Sequence, residues 1–333
     1  MRIKMKNRMP CRAAFLALTG LAGTLSAQQI EIVPVRGHMY LLTGAGANIT
    51  LSVGTDGIFL VDSGAAQMSD RVLAAINQLS RELNTSGRPL RDAPPPKPIR
   101  YIANTNSLPD HAGGNDKLAQ AGKTFTGGNV AGEIANAAEG AAVLSHENTL
   151  QRLSDSKVAG KGLPTETYFG AVMKLSHFFN GEGVELLHIA NANTDGDSIV
   201  YFRGSDVIST GDIFDFSHYP LIDLEKGGSV QGVIAGLNRM LELCVAEFRS
   251  EGGTLVIPGH GRIGDTADLA YYRDMVTIIR DRIQALIKKD MSLAQIQAAK
   301  PTEDWDPRFG ATTGAWTTDM FVEAIFKSLT QKK

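Results

Sequence analysis

Cysteine is nearly absent from the 333-residue chain, which has only two, Cys11 and Cys244. Cys11 lies in a basic first segment, so a chain lacking that segment keeps one thiol and can form no internal disulfide. Cys244 falls in the apolar-periodic stretch Ala235–Phe248 and reads as a small buried hydrophobe on a helix. Long apolar runs are also missing. The longest, Ala13 to Leu25, is too short for a membrane span of ~20 residues. Neither repeats nor low-complexity tracts occur, and 43% hydrophobic with 20% charged residues excludes a disordered or collagen-like chain. A core of this size needs no metal or disulfide to fold, so any metal site reads as functional.

Acidic residues are absent from the first 27 positions, which carry Arg2, Lys4, Lys6, Arg8 and Arg12 before the apolar run and Ser26-Ala27. A basic start, a short apolar stretch and a small residue at the exit match a secretory signal peptide over residues 1–27. Residues 28–333 then form the mature chain, expected in the periplasm or secreted, with no stable membrane insertion. Cys11 is not preceded by the small residues usual before a lipidated cysteine. Of 33 Lys and Arg these five leave with the signal, so 28 face 35 Asp and Glu, a net charge of −7. No basic stripe remains for nucleic acid. A small-molecule substrate is the expected partner, and the oligomeric state stays open.

Period-2 and period-3.6 patterns then alternate along the chain. Ile30–Leu42 reads as one strand, and Asn48–Val53 and Ile58–Asp62 as a hairpin around Gly54-Thr55-Asp56-Gly57. Ser69–Leu83 has helical spacing, Arg88–Pro98 is a proline-rich loop, and Ile99–Ala103 is a strand. Later strands are Val184–Ile189, Ser198–Phe202, Asp206–Ser209 and Thr254–Pro258. Ser229 caps a helix to Glu247, Asp265 caps one to about Lys289, and two more follow. Strand groups followed by helices, twice, suggest two sheets sandwiched between helices, an α/β fold.

Four segments place donor side chains just after strands: Asp110-His111, Asn193-Thr194-Asp195-Gly196-Asp197, Gly211-Asp212 and Gly259-His260. Such loops are where a rigid scaffold presents chemistry. Together with Val61-Asp62-Ser63-Gly64 and Asn104–Asn115, and in this order, they resemble the metallo-β-lactamase superfamily over roughly residues 30–290. The resemblance implies a four-layer αββα sandwich in one domain and a metal-dependent hydrolase.

The departures are specific. Asn106 and Leu108 stand where the family's box has its first two histidines, and Asn193 where the third histidine of the same metal would be. Leu108 has no donor atom, and an Asn carbonyl binds zinc poorly. The resemblance carries over Asp110, His111, Asp212 and His260 as ligands of the other metal, with Asp212 as the bridging carboxylate. Two imidazoles and two carboxylates suit one divalent ion, zinc first, with manganese or iron also acceptable.

Asp110 is the candidate catalytic carboxylate. Asn106 and Asn193 flank the vacated side and could hydrogen-bond substrate, while His218 lies on a loop expected to overhang the pocket. Asp62, Asp195 and Asp197 read as supporting or turn carboxylates. His38, His146, His177 and His188 take structural readings. Two functions stay open: hydrolysis of a small ester, lactone or amide by water activated at one metal, or a catalytically silent binding protein on the same fold.

Overall fold

Strand alternation sorts the apolar residues into three layers of core. In the computed structural model, which describes residues 29–84, 95–124, 140–158, 160–245 and 252–331, the chain forms two sheets. The first contains β1 (Glu31–Arg36), β2 (Met39–Ala45), β3 (Ala47–Gly54), β4 (Gly57–Val61), β5 (Ile99–Ala103), β6 (Ala142–His146) and β7 (Glu166–Tyr168) in that order. β1 to β4 pair antiparallel and β4 to β7 parallel. The second contains β8 (Val172–Lys174), β9 (Val184–His188), β10 (Ser198–Phe202), β11 (Val207–Ser209) and β12 (Leu255–Ile257), with only the last pair parallel.

Because successive side chains point to opposite faces, Ile58 and Leu60 of β4 face one way and Phe59 and Val61 the other. Ile58 and Leu60 pack with Val72 and Ile76 of α1 (Ser69–Asn84) and Leu118 of α3 (Asn115–Gln120). Phe59 and Val61 meet Leu186, Val200, Phe202 and Ile257 between the sheets. Leu187 and Ile199 turn outward onto α5 (Val230–Leu243), α6 (Thr266–Ile287) and α9 (Thr318–Thr330). The layer order is helix, sheet, sheet, helix. The expected αββα sandwich is the fold.

Local signals account for most boundaries. Gly54 and Gly57 face each other across the Thr55-Asp56 turn. Asp265 accepts from the Asp268 amide at 2.9 Å and Ser229 from the Gly232 amide at 3.0 Å, which caps α6 and α5 as read.

Three expectations need correction. Ile30–Leu42 is two strands, split where Gly37 adopts φ +57°. The helix bearing Cys244 ends at Leu243; Cys244 is extended there and half-buried, not a helical core residue. Three helices follow α6, not two: α7 (Leu293–Ala298), α8 (Asp306–Phe309) and α9. The signal segment 1–27 lies outside the described residues.

Candidate metal centre

Each donor is delivered by a strand end whose local sequence has little freedom. Immediately after β4, Asp62 adopts φ +66°, a conformation that non-glycine residues enter only when their surroundings compensate. Here they do. The Asp62 carboxylate accepts from the Thr105 amide at 2.8 Å, the Thr105 hydroxyl at 2.7 Å and His111 Nδ1 at 2.7 Å. After β5, Pro109 opens the short α2 (Pro109–Ala112), where a fixed φ and a missing N–H suit a first helical position. That turn sets Asp110 at the rim, half-buried, and His111 fully buried beneath it.

The second sheet supplies the other donors. β11 runs into Thr210-Gly211-Asp212, and β12 into Pro258-Gly259-His260. A Cβ on Gly259 would lie 2.1 Å from Asp212 Oδ1, so only glycine lets the two loops approach this closely. Asn48 of β3 donates its amide to the Pro258 and Gly261 carbonyls at 3.0 and 2.9 Å, tying the His260 loop to the first sheet.

The four side chains converge. His111 Nε2 stands 3.0 Å from Asp212 Oδ1, and His260 Nε2 stands 3.4 Å from Asp110 Oδ2 and 3.5 Å from Asp212 Oδ1. Ligand atoms of Asp110, His111 and His260 all lie within 4.8 Å of one another. Burial pulls the His111 imidazole down, yet the Asp212 and Asp62 carboxylates beside it raise it well above its ordinary value. Burial pushes Asp212 up, but the His111 charge and hydrogen bond hold it at about 2. For Asp110 burial is again outweighed, by the His260 hydrogen bond and the His111 charge, and its carboxyl is lowered. His260 is raised by its Asp110 hydrogen bond and by Asp212, against burial.

This donor set fits a divalent cation. With Nδ1–H given to Asp62, a neutral His111 aims the Nε2 lone pair at an Asp212 oxygen. Two acceptors so placed need a proton or a cation between them. A carboxylate behind a histidine is also the usual support for a metal-binding ring.

The vacated side is built differently. Asn106 Oδ1 accepts from the Leu108 amide at 2.8 Å, while its Nδ2 is buried without a partner. Asn193 Nδ2 donates to the Asp212 carbonyl at 2.9 Å, while its Oδ1 is buried without a partner. Leu108 serves as the extended residue before α2. His218 is brought to the site, its ring centroid 5.8 Å from that of His260.

Other histidines stand apart in structural positions. His38 pairs with Glu182 at 2.7 Å, His146 caps α4 (Glu147–Asp155), and its ring stacks on His188 at 3.6 Å. His177 contacts the Tyr101 ring. Asp195 is paired with Arg152 at 2.7 Å, and Asp197 accepts from the Thr194 hydroxyl and amide within its own turn. Full burial pushes Asp197 up to about 7. Sequence reading missed Asn48, Thr105 and Asp215. None carried a local signal, because the partners that give them their roles lie more than 40 positions away.

Comparison with known proteins places the chain in a family. The family model described as the metallo-beta-lactamase superfamily matches residues 42–260. No curated protein matches the chain. Among solved structures, a stereoselective inverting sec-alkylsulfatase from Pseudomonas sp. superposes with TM-score 0.61 at 15% identity, over 90% of this chain and 50% of that one. A metallo-beta-lactamase from Pontibacter korlensis gives 0.52 at 16%, over 75% of this chain and 99% of that one. The chain thus spans about half the length of the sulfatase, and at these identities both likenesses speak for the fold alone. With the family model spanning β3 to β12 and every segment that brings a donor to the site, the chain belongs to the metallo-β-lactamase superfamily.

Proposed function

We propose that the protein is an exported metal-dependent hydrolase that works with one divalent ion, zinc first, on a small ester, lactone or amide. The observation that carries this reading is the convergence of Asp110, His111, Asp212 and His260, set beside a sequence in which Asn106, Leu108 and Asn193 stand where the family's other metal has its histidines. Asp110, His111, Asp212 and His260 would hold the ion. When bound, such an ion polarises a scissile carbonyl and brings the ionisation of water to about pH 7.

The chain's own groups do the rest. Asp62 holds Nδ1–H of His111 and so fixes the ring. Asp110, its carboxyl lowered by the His260 hydrogen bond and the His111 charge, is ionised at neutral pH, and its half-exposed oxygens can accept a hydrogen bond from attacking water. Asn106 Nδ2 offers a donor and Asn193 Oδ1 an acceptor for a neutral polar group of substrate. Export rests on the pattern of residues 1–27, and the acidic mature chain disfavours nucleic acid. Among the described residues no helix is long and apolar enough to cross a membrane.

A panel of ester, lactone, thioester and phosphodiester substrates tests the reaction with zinc-loaded protein. Turnover should rise through neutral pH, vanish with chelator and fall sharply in Asp110→Asn and His260→Ala. If no substrate gives chelator-sensitive turnover and His260→Ala behaves as the parent, the silent binding protein replaces this reading. Export is checked by intact mass, which should place the mature N-terminus near Gln28; a retained Met1 on cytosolic protein contradicts it.

A further inference from the structure

Past the site described above, the loop after Asp212 carries a second group of donors. Ligand atoms of Asp215, His218 and His260 also lie within 4.8 Å of one another. Asp215 is fully buried. Its Oδ1 accepts from the Ser217 amide at 2.5 Å, the Ser217 hydroxyl at 2.6 Å and the His218 amide at 3.2 Å. Its Oδ2 has no hydrogen-bond partner and faces His218 Nε2 at 3.4 Å. A buried carboxylate oxygen left in that state costs free energy unless something positive meets it.

His218 repeats the arrangement of His111. Its Nδ1 lies 3.0 Å from the Tyr219 carbonyl, which can only accept, so Nδ1 carries the proton and Nε2 presents a lone pair. That lone pair is aimed at Asp215 Oδ2, again an acceptor against an acceptor. The loop is held in place from outside: Tyr272 donates its hydroxyl to the His218 carbonyl at 3.1 Å, and the Phe216 amide bonds the His260 carbonyl at 3.3 Å. Two imidazoles and one carboxylate are a donor set for a borderline divalent transition ion such as Zn²⁺ or Fe²⁺.

We propose that Asp215, His218 and His260 form a second cation site, overlapping the first through His260. Because both sites need the same imidazole, one ion is held at a time and can rest on either side of His260. This goes beyond the single-ion reading and rests on it only for His260 being a ligand. It gives His218 a role at the ion in place of the substrate contact expected from sequence.

The test is Zn²⁺ titration of the metal-stripped full chain, with bound zinc counted by elemental analysis after dialysis. Wild type should bind one ion per chain. His111→Ala should still bind one, more weakly, because Asp215, His218 and His260 are untouched. Adding His218→Ala to it should abolish binding, as should His260→Ala alone. His111→Asn repeats the series with a polar side chain if the alanine variant does not fold. The proposal is overturned if His111→Ala and His111→Asn bind nothing while wild type binds one. It is equally overturned if the double variant binds zinc as the single one does. Wild type without zinc would overturn both this site and the proposed function.

Discussion

The two sides of one pocket have been treated in opposite ways. On the kept side three of the four donors are buttressed: His111 by Asp62, itself held by Thr105, Asp212 by the bare backbone of Gly259, and the His260 loop by Asn48. On the vacated side each amide is half-spent on the backbone, Asn106 on Leu108 and Asn193 on Asp212, with one atom left over. The left-handed Asp62 and a glycine at 259 with no room for a methyl group are both local demands that holding these donors together imposes. The difference supports the proposed reading of one cation on the kept side, with neutral hydrogen-bonding groups on the other.

Breaking the kept side should have the largest effect. Asp62→Ala removes one partner of a fully buried pair, which costs about 3–5 kcal/mol. It should also weaken zinc binding by roughly 10- to 100-fold. Urea unfolding and zinc titration read the two effects separately. His38→Ala is the control: it removes the His38–Glu182 pair, far from these donors in role, and should leave zinc affinity unchanged. Gly259→Ala comes next. A methyl group 2.1 Å from Asp212 Oδ1 must push the loops apart, at about 1–3 kcal/mol, and should lower zinc affinity with it.

Much of this pocket could be read from the chain before any fold was known, and the reason is sequence-local. Gly211-Asp212 and Gly259-His260 follow a strand within two residues, and Asp110-His111 follows one across a short turn into α2, so their positions are largely fixed once the strands are. The hairpin at Thr55-Asp56 and the caps Ser229 and Asp265 depend on neighbours three or four residues away and were equally readable. What escaped depends on distant partners. β6 (Ala142–His146) is buried on both faces, and such a short apolar run has no period to reveal it. Asn48 acts on residues more than 200 positions away. Asp215 became visible only when its loop brought it to His260. Cys244 was misplaced because helical periodicity continued past the point where the backbone turns extended.

The vacated side should respond more mildly. Asn193→Ala removes a buried bond to the Asp212 carbonyl, about 1–3 kcal/mol, and should leave one ion bound while raising KM more than it lowers kcat. Restoring histidine at all three places, Asn106→His with Leu108→His and Asn193→His, should recruit a second ion, seen as a higher zinc count.

The pH dependence of metal-free protein adds a further check on the buried carboxylates and His111. Asp212, at about 2 against an ordinary 3.8, contributes stability above pH 3.8 that is lost as pH falls toward 2. His111, raised well above 6.5, contributes stability that is complete below pH 6.5 and lost as pH rises through its folded value. Asp197 has the opposite sign to Asp212. Raised from 3.8 to about 7 by burial, it favours the fold most below pH 3.8 and erodes it as pH climbs to 7. Asp197→Asn should therefore gain stability relative to wild type at pH 8 and not at pH 4, as urea midpoints would show.

The most direct test of the central claim, that the site holds one cation and not two, is the metal content of the purified protein. Elemental analysis after saturation with zinc and removal of excess should give one ion per chain, lost in His260→Ala. A stable value of two would contradict the single-ion account, with Asn106→Ala and Asn193→Ala on one side and His218→Ala on the other showing where the second ion sits, and a value of zero would mean that the kept side binds nothing.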